Sequence, residues 1–89
     1  MSEPKVCRKV KRLYDELEER IQNFPIGEIE IRDGTAVLRI HHHAFGKQII
    51  LEETVYDKEG NEIGVAFPSC TKQLKLLRQL KKKIKDVRE

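Results

Sequence analysis

The hydrophobic period of this chain changes twice, and that constrains its fold more than any other feature. From Val6 to Phe24 the residues Val6, Cys7, Val10, Leu13, Tyr14, Leu17, Ile21 and Phe24 recur at spacings of three and four, one stripe of a helix. From Glu28 to Phe67 the period is two, and from Ser69 onward Leu74, Leu77, Leu80, Ile84 and Val87 restore the helical stripe, with Leu76 beside it. The pattern predicts a helix over 4–24, strands over 28–33, 35–45, 47–57 and 61–67, and a second helix over 69–88.

Turn and cap residues fall where this scheme needs them. Ser2 is placed to cap the first helix, Pro4 suits its first turn, and Pro25 stops it, because the ring lacks an amide hydrogen and clashes with a continuing turn. Asp33-Gly34 suits a hairpin, Gly46 turns the chain again, and Asp57-Lys58-Glu59-Gly60-Asn61 is the next turn. Pro68 ends the fourth strand, and Ser69 or Thr71 caps the second helix.

Four consecutive strands between two helices read as an α+β domain, an antiparallel meander with one face covered by helix. Alternation assigns Ala36, Leu38, Ile40, His42 and Ala44 to the covered face, followed by Ile49, Leu51 and Val55, then Ile63, Val65 and Phe67. His42 there reads as a core histidine bonded to backbone. At 89 residues there is one domain with a small core, and such domains often gain stability by association. A homodimer is therefore expected. The alternative is that both helical stripes pack only on the chain's own sheet.

Composition narrows the setting. Charged residues make up 37% against six Asn and Gln, a balance that resembles proteins of heat-adapted organisms. The charged first 25 residues lack the apolar run of a signal peptide, and nothing approaches a membrane span, so a cytoplasmic protein without membrane contact is expected. Cys7 and Cys70 form no CxxC and read as small buried hydrophobes, with a disulfide between them as the alternative.

The charge itself is uneven. Residues 72–89 hold Lys72, Lys75, Arg78, Lys81, Lys82, Lys83, Lys85 and Arg88 against Asp86 and Glu89, or +6, so with a total of +3 the rest of the chain is −3. Such a ridge neutralises phosphates and releases their counterions, although the helix dipole alone also favours cations near a C-terminus. Lys5, Arg8, Lys9, Lys11 and Arg12 crowd the start of the first helix, where the dipole disfavours them, so a binding or dimer contact accounts better for that group.

The other sheet face carries Arg39, His41, His43, Phe45, Ile50 and Tyr56, whose rings and guanidinium offer flat surfaces for unpaired bases. Catalytic signatures are lacking: no nucleophile elbow, no phosphate-cradling glycine loop, and Glu52 and Glu53 point to opposite faces. Of the triplet His41-His42-His43 only two share a face, short of the three or four ligands a zinc site requires, so no metal, other cofactor or small-molecule substrate is expected.

Ile31-Arg32-Asp33-Gly34-Thr35-Ala36-Val37-Leu38-Arg39-Ile40, then Tyr56-Asp57-Lys58-Glu59-Gly60, then Gly64 to Phe67 leading into a Lys- and Leu-rich helix, resembles the transcriptional coactivator family called positive cofactor four. The element order and basic helices also resemble the single-stranded-DNA-binding ThermoDBP proteins of thermophilic archaea. Both resemblances cover about residues 26–88. They imply a dimer that grips single-stranded nucleic acid by a sheet face or inter-subunit cleft, with Arg39 as the most transferable contact. The chain departs from them in its long third strand, its lack of Trp, and five acids between Glu52 and Glu62.

The expectation is a non-catalytic binder of single-stranded DNA or RNA with little sequence preference. Lys72, Lys75, Arg78, Lys81, Lys82 and Lys85 would hold the backbone, helped by Lys9, Arg12 and Arg39, while His41, His43, Phe45 and Tyr56 stack on bases in one continuous groove. A protein-interaction module and a small metal-dependent nuclease are the alternatives.

Overall fold

The computed structural model describes residues 5–23 and 27–87, with side chains over 7–23 and 27–84; Ser2, Pro4, Pro25 and the Lys85 side chain lie outside the described residues. The order is helix α1 (Lys5–Ile21), strands β1 (Glu30–Asp33), β2 (Ala36–His43), β3 (Gly46–Tyr56) and β4 (Glu62–Ala66), then helix α2 (Cys70–Val87). The strands form one antiparallel sheet in chain order. No helix among the described residues is long and apolar enough to cross a membrane.

One sheet face meets both helices. α1 lies against β3, and α2 against β1 and β2. Leu17 and Ile21 of α1, Leu76, Leu77, Leu80 and Ile84 of α2, and Ile31, Leu38, Ile40, Ile49 and Leu51 of the sheet close this core. Each such fully buried side chain stabilises the fold by about 1.5–3 kcal/mol. Ser69 caps α2, its hydroxyl accepting from the Lys72 amide, as the sequence allowed.

α1 is fixed to the sheet by a match of two periods. β3 extends past β4 at its start, leaving backbone groups of Lys47 and Ile49 pointing off the sheet edge. Tyr14 and Glu18 of α1 and Gln22 just past its end, four residues apart, reach these alternate strand residues, because one helical turn and two strand residues span nearly the same length. Gln22 donates to the Lys47 carbonyl and accepts from its amide, at 2.7 and 2.9 Å. Tyr14 donates to the Ile49 carbonyl at 2.7 Å, and Glu18 accepts from the Ile49 amide. Burial, with the Glu18 carboxylate beside it, pushes the Tyr14 phenol up to about 12, which keeps it a donor.

Cys7 and Cys70 are joined by a disulfide, with Cα atoms 5.3 Å apart, and are half-buried; the reading of both as buried hydrophobes is corrected. The bridge ties the first turns of the two helices together. Glu16 lies 3.6 Å from Lys81 further along, so α1 and α2 run parallel.

Two face assignments are also corrected. Ala66 pairs with Glu53 and Gly64 with Val55, so the small residues of β4 share the helix-covered face while Val65, opposite Thr54, lies on the other. A bulge between Val55 and Tyr56 leaves Ile63 unpaired and breaks strict alternation. Val65 faces away from the helices and the helices lie over β1 to β3 and not over β4, so Ile63, Val65 and Phe67 are 64%, 59% and 83% exposed. His42 is exposed and not in the core, because β2 runs past the helix layer at that end, where its pair is Lys47 at the edge of the core.

Candidate nucleic-acid interface

The parallel helices leave a groove on the side away from the sheet, about 240 Å³ in volume. Lys9, Arg12, Leu13 and Glu16 line it from α1, and Leu74, Arg78 and Lys81 from α2. Spacings of three and four bring these rows to one edge of each helix, and the disulfide sets them level. Leu13 and Leu74, partly buried against the core, supply apolar walls.

The groove's cations are largely uncompensated. Glu16 pairs with Lys81 and with Arg20, and Arg12, four residues before Glu16, forms no ion pair with it. Lys11 pairs with Asp15 at 3.9 Å as that spacing suggests. Among the described residues Arg8, Lys9, Arg12, Lys75, Arg78, Lys82 and Lys83 form no ion pair, and all seven are exposed on the two helices. Neither helix has an acidic residue in its first turn, so the positive ends of both dipoles reinforce this surface.

The opposite sheet face is different in character. Arg39 reaches Glu30 of β1 at 3.5 Å and Glu52 of β3 at 3.2 Å, and Arg32 joins Glu30 at 2.9 Å. Two guanidinium groups and two carboxylates across three strands make a locally neutral lattice, with Val37 buried beneath it. His41 and His43 stand beyond it with ring centroids 5.9 Å apart, and Phe45 follows His43 at 6.4 Å. Tyr56 lies at the far end of β3, past the bulge.

The expected binding residues therefore divide. Lys9, Arg12, Arg78 and Lys81 meet in the groove, and Lys75 and Lys82 are exposed along α2. Lys72 is held by Glu53, whose carboxyl that contact and the Thr35 hydroxyl keep below its ordinary range. Arg39, His41 and His43 are on the other side of the sheet, so the single continuous groove is corrected: a helix diameter of about 10 Å and the sheet itself lie between the two surfaces. The sequence counts Arg8 and Lys83 among the basic side chains of the two helices without assigning them a backbone contact, and it assigns Leu13 and Leu74 to the helical stripes. Arg8 stands four residues before Arg12, the spacing that places it along that edge, whereas Lys83, five residues after Arg78, shares no such spacing with the groove's cations. Among the described residues no three His, Cys, Asp or Glu side chains gather as a metal site would need.

No protein-family model, curated protein or solved structure matches the chain. The resemblance to positive cofactor four and ThermoDBP rests on the residues quoted for it.

Proposed function

We propose that this chain is a non-catalytic nucleic-acid-binding protein that holds sugar-phosphate backbone on its helix layer. The observation that carries this reading is the concentration of seven unpaired, exposed cations on two parallel helices beside a cation-lined groove, while Glu30, Glu52 and Glu53 of the sheet are engaged by Arg32, Arg39 and Lys72. Unpaired cations at this density repel one another, and phosphates relieve that repulsion while releasing their own counterions. The groove offers no ring for stacking, so affinity comes from the backbone and sequence preference is weak. The rings of His41, His43 and Phe45, on which a preference for single strands was based, face away from it.

Titration of labelled single-stranded and duplex oligonucleotides tests this. A strand neutralising four of these side chains gives log affinity falling with log salt at a slope of about −3 on single strands, from about −0.7 per contact, and steeper on duplex. Absence of binding at low salt, or a flat dependence, refutes the proposal.

A further inference from the structure

Apolar surface is concentrated on one hairpin. Tyr56, Ile63, Val65 and Phe67 are each at least half exposed, and all belong to the end of β3, to β4 or to the residue after it. β4 is also one of the two edge strands of the sheet, the other being β1, against which α2 lies. The Thr54 amide donates to Thr35 on the β2 side, so Thr54 and its neighbour Val65 do not bond each other, and the Val65 N–H and C=O point off the open edge. An uncovered apolar edge strand is a template for a further strand.

We propose that this strand is β4 of a second copy, paired antiparallel about a two-fold axis at Gly64. That register sets Ile63 opposite Val65 and Glu62 opposite Ala66, so no like charges face each other. Continued outward, it brings Glu59 of one copy level with Ser69 of the other. The turn region, net acidic with Asp57, Glu59 and Glu62 against Lys58, thus lies beside the start of the second copy's α2, where Lys75 is unpaired, Lys72 is held by Glu53 and no acid occurs in the first turn. An arbitrary apolar strand would not supply this complement twice, once at each end. Ile63, Val65 and Phe67, exposed to this degree, present on the order of 400 Å² per copy, or about 800 Å² for two, to which the paired edge backbones add, near the lower bound of a specific interface. Because the axis is normal to the sheet, both helix layers lie on the same face of the resulting eight-stranded sheet, two copies of four strands each.

Sedimentation equilibrium of the oxidised full chain without nucleic acid, from micromolar to sub-millimolar concentration, tests this apart from any ligand. The wild type is expected to show a reversible monomer–dimer equilibrium. The double variant Ile63→Lys/Val65→Lys, altered where the monomer leaves both side chains in solvent, should bind itself at least tenfold more weakly with an unchanged circular dichroism spectrum. Phe45→Lys, which alters an apolar side chain on the other hairpin, should dimerise as the wild type does. A wild type that is monomeric throughout, or a dimer untouched by the double variant, overturns the proposal.

Discussion

Replacing both cysteines, Cys7→Ser/Cys70→Ser, should cost the chain a large part of its stability. The bridge closes a loop between positions 63 apart in sequence. For a loop of that length the chain-entropy estimate is about 4 kcal/mol, against a total of about 5–15 kcal/mol for a typical domain. For a domain of this size that corresponds to a fall in Tm of roughly 15–30 °C. Urea denaturation of the oxidised wild type, the reduced wild type and the double variant separates covalent from packing effects. The two forms without the bridge should unfold together, well below the oxidised protein, and reductant should leave the variant unmoved. A variant within about 1 kcal/mol of the oxidised wild type would refute the reasoning, because the unbridged ensemble would then have to be as restricted as the bridged one.

Three further outcomes follow from the packing of the sheet. Glu53 is held below its ordinary value of 4.5 by Lys72 and then by Thr35, so it stabilises the fold above that pH, and the contribution is lost as pH falls through its depressed folded value; Glu53→Gln should flatten the acid limb of a denaturation midpoint against pH. Gly46→Ala should destabilise by about 1–2 kcal/mol in urea, since its φ is +138° and an added Cβ would lie 2.6 Å from the Gln22 oxygen that binds Lys47. Asp57, held low mainly by the Asn61 amide and then by that of Glu59, shapes the β3–β4 turn, so Asp57→Ala should speed hydrogen exchange at those amides and leave β1 and β2 unchanged.

The element order was legible because each run kept one period for long enough to fix its type. All six elements occur where the sequence puts them, with ends shifted by three residues or fewer. Parity failed at β4, where one bulged residue moves every later side chain to the other face, and composition carries no mark of a bulge beyond Gly64. The disulfide was left open because two cysteines at distant positions show no spacing; only the parallel helices bring them together. At the site, alternation and helical spacing revealed which cations share an edge, but not that helix and outer sheet face look in opposite directions. Arg39 illustrates the limit: its place opposite Glu30 and Ile50, beside Glu52, is a matter of register, which the sequence does not state.

The most direct measurement compares two surfaces of the same protein on one single-stranded oligonucleotide across a salt series. Arg12→Ala/Arg78→Ala, on the groove, should weaken binding and make the log–log salt slope shallower by about 1.4, two contacts at about 0.7 each, while Arg39→Ala/His41→Ala, on the sheet, should leave affinity and slope as in the wild type. Loss of binding on the sheet variant with the groove variant unaffected would contradict the account.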